Sequence, residues 1–519
     1  MRSIEHFVEI GIALSSEKNH HVLLEKILKS AMQLANADAG TIYSISKENK
    51  LVFETLLNNS LNSHLGGTTG KPVEYPNIPV FQFGEINNNA MVAVAAASGE
   101  IINIEDAYTC TEYNFCAAKE MDKLTGYRTQ SVLTLPMKNH EEEINGVIQL
   151  INASDDQGNV IPFDDEVERI THALTSLAAV ILTNKQLINE MENLFASFSQ
   201  LIASAIDKKS PYTGEHCRRV PVITMMLAKA CHNINTGPLN DFNMEKEDFH
   251  ELNVAAWLHD CGKVATPEYV MDKKTKLSTV FDRIELIESR FEIAARDIYN
   301  SKKLDDKNKA VLLKQLDIDR NFICIANTGG EFFDDDKINR IYAIAKQYQV
   351  SIKGKTQPVI SDDEVYNLII KRGTINPKER KIINGHMDVT VEMLESMPFP
   401  KHLQKVPEYA CGHHEKMDGT GYPKGLTREQ MSIPARMMAI ADIFEALTAN
   451  DRPYKPPKTL SETLIIMGIM KLDNHLDPDL FDVFVNEKVY EAFAKEHLLP
   501  SQIDEFNIND IPGCGDFDC

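Results

Sequence analysis

Five histidines and two aspartates stand where simple packing has little use for them. His216 lies in YTGEHCRRV, the pair His259–Asp260 in VAAWLHDCGK, and His386 in INGHMDVT. The adjacent His413 and His414 open HHEKMDGTGYP, and Asp442 lies in MMAIADIFEAL. Each sits on or beside an apolar stretch of helical period; Ala255, Ala256, Trp257 and Leu258 lead into the His259–Asp260 pair. A buried, charged aspartate costs several kcal/mol unless it is paired or bound to a metal. One such residue is unremarkable, but imidazole and acid groups repeated on separate apolar helices are hard to explain by packing. Two metal ions explain the count, with a carboxylate as bridge and Asp260 as the natural candidate. Imidazole and carboxylate donors without thiolate suit Fe, Mn, Co or Zn rather than a structural cysteine–zinc site. Two ions about 3.5–4 Å apart can clamp the attacking and leaving oxygens of a phosphoryl displacement. Lys263, after Gly262 in HDCGK, can reach a phosphate held near them. In HHEKMDGTGYP, Gly419, Gly421 and Pro423 shape a loop that Glu415 and Asp418 are placed to fix by hydrogen bonds.

HDCGK, HHEKMDGTGYP and ADIFEALTANDRPY together resemble the HD-GYP subfamily of HD-domain phosphohydrolases, the cyclic-di-GMP phosphodiesterases, over roughly residues 200 to 490. The resemblance implies a first metal on His216, His259, Asp260 and Asp442, and a second on His386, His413 and His414 with Asp260 shared. It implies a Gly421-Tyr422-Pro423 turn over the substrate, with Tyr422 as a stacking or hydrogen-bonding surface. Lys263 would act on phosphate charge, and Arg452 and Lys455 would contact phosphate and base. Glu445 stands where the family usually has Asp, at a position expected to touch a guanine base. Some members bind a third metal through a glutamate four residues before the first histidine. That position is Tyr212 here, so a binuclear site of Fe or Mn is expected, although Glu215 adjoins His216.

These residues need elements to hold them. The chain has 519 residues, 43% hydrophobic and 25% charged, a length that suits two to four domains. A formal net charge of −22 argues against a protein that tracks DNA, because phosphate contacts need a basic footprint. A small anionic ligand in a locally positive cleft remains compatible with it. No run of about 18 apolar residues exists to span a membrane. The start, MRSIEHFVEIG, has Glu5, His6 and Glu9 where a signal peptide would be apolar, so a cytoplasmic protein is expected, and the nine scattered cysteines fit that.

Within residues 1–185, LLEKILKSAMQLANADAGTIY reads as helix then strand, SVLTLPMK and INGVIQLINA as a hairpin, and FDDE as the start of a closing helix. This order resembles a GAF domain, of sensing or dimerising function. Only fragments of a cyclic-nucleotide-binding signature remain, in Asn152, Phe163, Asp165 and Glu166, so its ligand is left open. In residues 186–205, Leu187, Met191, Leu194, Phe198, Leu201 and Ala205 follow a heptad seam, which predicts a coiled coil joining two protomers. Residues 206–490 form the all-α metal domain, interrupted by a charged helical insert at about 280–372, and 491–519 read as an acidic tail.

The expected architecture is therefore a multidomain α+β chain: an α/β sensor, a connecting coiled-coil helix and a helical phosphodiesterase. The expected substrate is cyclic-di-GMP, opened to the linear dinucleotide and possibly to GMP. 3′,3′-cyclic GMP-AMP is the enzymatic alternative, and a non-catalytic dinucleotide sensor is a different class. A signalling protein partner for the insert is compatible with any of these.

Overall fold

In the computed structural model, residues 9–14, 16–17, 19–209, 215–330, 332–450 and 457–514 are described. The beginning of the chain, Tyr212, Arg452, Lys455 and Cys519 lie outside them. The chain divides into two compact units, residues 1–194 and 195–519.

The first unit is a sheet between two helical layers. Helix α1 (His20–Leu34) leads into β1 (Ala37–Ile45), β2 (Lys50–Asn58) and β3 (Ser63–Gly66). Helix α2 (Met91–Ser98) follows, then β4 (Ile102–Ile104), β5 (Val132–Lys138) and β6 (Ile144–Ser154). The strand order is β3-β2-β1-β6-β5-β4, with antiparallel neighbours throughout. Successive side chains of a strand face opposite sides. Ile42 therefore joins Leu23, Ile27, Leu28 and Leu174 in one core, while Tyr43 joins Met91, Val92 and Ile102 in the other. Asn152 is spent on the sheet rim, accepting from the Gln130 amide at 2.7 Å and donating to the Arg128 carbonyl at 2.7 Å.

The closing helix and the connecting helix are one element. Asp164 caps it through the amides of Glu166 and Val167, and α3 then runs unbroken from Asp165 to Lys209, 45 residues. At 1.5 Å per residue that is about 68 Å. Its residues Leu187, Met191, Leu194, Phe198 and Leu201 are all more than half exposed. Another face of its last turns packs into the second unit, with Phe195 against Phe399 and with Ala203 and Ile206 in the core.

That second core gathers α4 (His216–Asn233), α5 (Lys246–Leu258), α11 (His386–Glu395), α12 (Val406–Cys411) and α13 (Ile433–Thr448). Between α5 and α11 lies the insert, with α6 (Ile284–Asn300), α7 (Asp306–Asn327), α8 (Asp335–Gln347), a hairpin of β7 (Gln349–Ile352) and β8 (Lys355–Pro358), and α9 (Asp362–Leu368). The short helix α10 (Pro377–Asn384) returns the chain to α11. The insert has a core of its own, from Leu277 to Leu368, and is therefore a small subdomain. It is not purely helical. Lys353 and Gly354 both take positive φ and close the β7–β8 hairpin, a turn usually signalled by Asn-Gly or Asp-Gly.

Residues 491–514 are not a loose acidic tail. Phe493, Ala494 and Ile511 are buried in the second core, and the Gln502 amide donates to the Thr448 and Lys458 carbonyls. The apolar residues spaced among the acids carry this stretch back onto the domain. The eight described cysteines are all free.

Candidate metal centre

Each histidine is presented by a helix end. His259 follows the last residue of α5, and Asp260 turns the chain at φ −106° and ψ 13° into a 3₁₀ turn, Cys261–Ala265. His216 and His386 are the first residues of α4 and α11. His413 and His414 follow the end of α12, and Asp442 projects from the middle of α13. Gly262 permits the closest approach: a β-carbon there would lie 2.0 Å from the His386 carbonyl oxygen. Its amide donates to Thr390 Oγ at 3.0 Å, which locks the His259–Asp260 turn onto α11.

All seven expected ligands converge in two overlapping groups. Asp260, His386, His413 and His414 form one, and His216, His259, Asp260 and Asp442 the other, with the ligand atoms of each group within 4.8 Å of one another. The shared Asp260 divides its oxygens between them. Oδ2 lies 3.1 Å from both His216 Nε2 and His259 Nε2, whereas Oδ1 lies 3.3 Å from His386 Nε2 and 4.0 Å from His413 Nε2. Asp442 Oδ1 is 3.3 Å from His216 Nε2.

The far sides of the rings fix their tautomers. Nδ1 of His259, His386 and His413 each meets the carbonyl three residues back, those of Ala256, Ile383 and Ala410, at 2.6–2.7 Å. A carbonyl can only accept, so each Nδ1 carries a hydrogen and Nε2 is the ring atom left to face inward. Those three Nε2 atoms and Asp260 Oδ1 are buried without a hydrogen-bonding partner. Buried polar atoms are rarely left so, and four aimed at one place fit divalent cations.

Electrostatics agree. Burial, reinforced by neighbouring histidines, holds His413 well below the ordinary imidazole range; burial brings His414 down to about 4, so both stay neutral near pH 7. His216 is the opposite case. Burial would lower it, but Glu445, Asp260 and Asp442 together raise it well above its usual value. Burial would raise Asp260 and Asp442, yet Lys263 and the histidines keep both carboxylates ionised. The Lys263 ammonium sits 2.5 Å from Asp260 Oδ2 and is held charged by Asp260 and Asp442 against the effect of burial.

The loop after His414 is fixed as its composition suggested. Glu415, 1% exposed, accepts from the amides of Lys424, Gly425 and Leu426 at 2.7–3.1 Å, and Asp418 accepts from the Thr420 amide and hydroxyl. A β-carbon on Gly421 would meet the Lys416 amide nitrogen at 2.4 Å. Tyr422 stacks on His414, with ring centroids 4.8 Å apart, and the Tyr422–Pro423 peptide is cis. One face of Tyr422 is therefore already spent on a ligand ring.

Glu445 corrects its expectation. It is 1% exposed, and both its oxygens are used: Oε2 on His216 Nδ1, and Oε1 on Arg219 Nε at 2.7 Å and Nη2 at 2.6 Å. A base of the substrate finds no free carboxylate there. Glu445 lies one turn after Asp442 on α13, so one helix supplies both a candidate ligand and the group that orients His216. Arg219 was missed by sequence reasoning; its only local signal is the i,i+3 spacing from His216.

The family model for the HD domain matches residues 361–480, and that for the GAF domain matches residues 19–182. The chain carries a GAF domain and an HD domain. The HD match begins within the insert, so His216 and the His259–Asp260 pair lie ahead of it and join the HD domain only through the fold. The chain is 38% identical over 131 residues to a 3′3′-cGAMP-specific phosphodiesterase of Vibrio cholerae, covering 25% of this chain and 30% of that protein. It is 47% identical over 118 residues to a cyclic di-GMP phosphodiesterase of Pseudomonas aeruginosa, covering 23% of this chain and 27% of that protein. It thus spans about a third or less of either relative's length. A solved GAF domain, from an Acinetobacter phosphoenolpyruvate-protein phosphotransferase, aligns over 37% of this chain and 98% of its own at 12% identity and a TM-score of 0.27. Among the described residues no helix is long and apolar enough to cross a membrane.

Proposed function

We propose that the second unit is a binuclear-metal phosphodiesterase that opens a cyclic dinucleotide, with cyclic-di-GMP as its first substrate. The observation that carries this reading is the division of Asp260, one oxygen toward each group of imidazoles. His216, His259, Asp260 and Asp442 would hold one divalent ion, and His386, His413, His414 and Asp260 the other, Fe or Mn by donor type. Such a pair supplies an activated water at neutral pH and offsets charge on a phosphodiester in displacement. The chain's own residues do the rest. His413 and His414 stay neutral and available, Lys263 brings a fixed positive charge beside the bridging carboxylate, and the Glu415-anchored loop holds Tyr422 against His414. Arg452 and Lys455 are proposed to contact phosphate and base.

Relatives named for cyclic-di-GMP and for 3′3′-cGAMP both match, so the hybrid dinucleotide is the second reading. The exposed apolar stripe from Leu187 to Leu201 supports a homodimer joined through α3, which the proposal places in the cytoplasm with the GAF domain as regulator. Turnover of both dinucleotides by Mn(II)- or Fe(II)-loaded protein tests the proposal. Hydrolysis of either to a linear product supports it, and preference between them assigns the substrate. Tight binding of both without cleavage would make the protein a sensor instead.

A further inference from the structure

The last described turn of α3 grips the turn that bears Lys263. The Lys209 ammonium donates to three carbonyl oxygens in succession: Lys263 at 3.3 Å, Val264 at 2.5 Å and Thr266 at 2.7 Å. These lie at the end of the 3₁₀ turn Cys261–Ala265, where the Lys263 carbonyl also accepts from the Thr266 amide at 3.1 Å and a cation is favoured. Two residues earlier, Asp207 is 4% exposed and lies beside Cys217, next to His216. The end of α3 is thus seated between the two segments that lead to the first group of ligands.

The turn is held from two sides with different consequences. Its first half is locked to α11, with the Gly262 amide on Thr390 and no room for a β-carbon against the His386 carbonyl. That contact fixes His259 and Asp260 whatever α3 does. Its second half, which begins at Lys263, is held by the Thr266 amide on the Lys263 carbonyl and, from outside the turn, by Lys209. The Lys263 ammonium must reach Asp260 Oδ2 from a backbone whose carbonyl Lys209 holds.

We infer that Lys209 is a positioning residue for Lys263, and that through it a rotation or shift of α3 reaches the active-site cation while the Gly262–Thr390 contact holds His259 and Asp260. Because α3 is continuous from Asp165, the helix that begins in the first unit ends in this contact. The inference rests on the phosphodiesterase reading for its effect on turnover, but the contact itself can be read without activity.

The test uses the full chain loaded with Mn(II), as wild type, Lys209→Met and Lys209→Arg. Lys209→Met keeps the aliphatic stem and removes the donors. Hydrogen exchange of the Lys263 and Thr266 amides should accelerate about 10-fold or more in Lys209→Met. The number of Mn(II) ions bound should stay at the wild-type value. For a cyclic dinucleotide, kcat should fall about 10- to 100-fold with KM little changed, since the loss is of orientation rather than of binding. Lys209→Arg, which retains the cation and its donors, should restore both exchange protection and most of kcat. A residue of purely structural importance would instead lose metal and thermal stability in step with activity. Unchanged exchange at Lys263 and Thr266 in Lys209→Met would overturn the inference, as would metal loss proportional to the fall in kcat. Absence of turnover in the wild type rejects the phosphodiesterase reading, and the exchange measurement then still decides the contact.

Discussion

Replacing Glu445 by Gln tests the orientation of His216 with almost no change in shape. Glu445 Oε2 now accepts from His216 Nδ1, which leaves Nε2 free to face Asp260 and Asp442. A glutamine whose oxygen stays on Arg219 presents its NH₂ group to His216 instead. Nδ1 must then accept, the ring hydrogen moves to Nε2, and the ligand atom is blocked. Losing such an orienting partner typically weakens metal binding about 10- to 100-fold. Stability falls as well. Burial alone would raise Glu445, but His216 and Arg219 bring it from 4.5 to about 2, a difference worth about 3 kcal/mol in the metal-free protein. Arg219 keeps a second carboxylate, Glu215 Oε2 at 3.1 Å, so it is not left as an unpaired buried charge. Because the folded value is depressed, this stabilisation is present above pH 4.5 and is lost as pH falls toward about 2. Competition between the stripped protein and a chelating indicator for Mn(II) should therefore show one site weakened and the other nearly intact. Urea unfolding of the metal-free variant should give the matching loss. Unchanged affinity at both sites, or equal weakening of both, would refute the role assigned to Glu445.

Three further outcomes follow from the same geometry. Lys263→Ala should keep both metals and lose on the order of 10²-fold in kcat, as for other removed charge-stabilising donors; metal analysis showing emptied sites would make Lys263 structural. Metal affinity should rise with pH, because the raised His216 must release its proton to bind. The same protonation stabilises the metal-free fold fully below pH 6.5, and that increment is lost as pH rises through the raised value; calorimetry in buffers of different ionisation enthalpy should detect the released proton, and none would contradict the assignment. Leu194→Asp together with Phe198→Asp would bury unpaired carboxylates if α3 pairs with a second copy, at several kcal/mol each; light scattering should then report a monomer that still hydrolyses substrate, and an unchanged dimer would rule out this seam.

The seven candidate ligands, which the structure brings together, were legible because each is embedded in a short pattern with a chemical reason: a His-Asp dipeptide, paired histidines before a glycine-rich loop, an aspartate in an otherwise apolar helix. Of strands β1 to β6, β1, β5 and β6 were legible in the sequence, whereas β2, β3 and β4 were not read from it. What escaped was non-local. Arg219 and Glu445 are 226 residues apart, Lys209 and Lys263 are 54, and neither contact leaves a periodic trace in the chain. The family resemblance implies a substrate contact for Glu445, at a position where the family usually has Asp, whereas its burial and its contact assign it to His216. The unbroken α3 reads as two pieces in the sequence because the apolar stripe from Leu187 to Leu201 repeats as a heptad seam of its own, whereas the structure leaves that stripe exposed. The last residues were read as a tail because acids dominate them, while Phe493 and Ile511 do the packing.

The central claim is that Asp260 joins two metal sites, and metal content per chain of purified wild type and Asp260→Asn, both incubated with excess Mn(II) and desalted, tests it most directly. Asparagine keeps the size of the side chain and offers one acceptor oxygen without the charge that both groups share. The wild type should hold two ions per chain and Asp260→Asn neither, with circular dichroism showing the fold preserved. One ion fully retained in the variant would show that Asp260 serves a single site, and two retained would show that it bridges nothing.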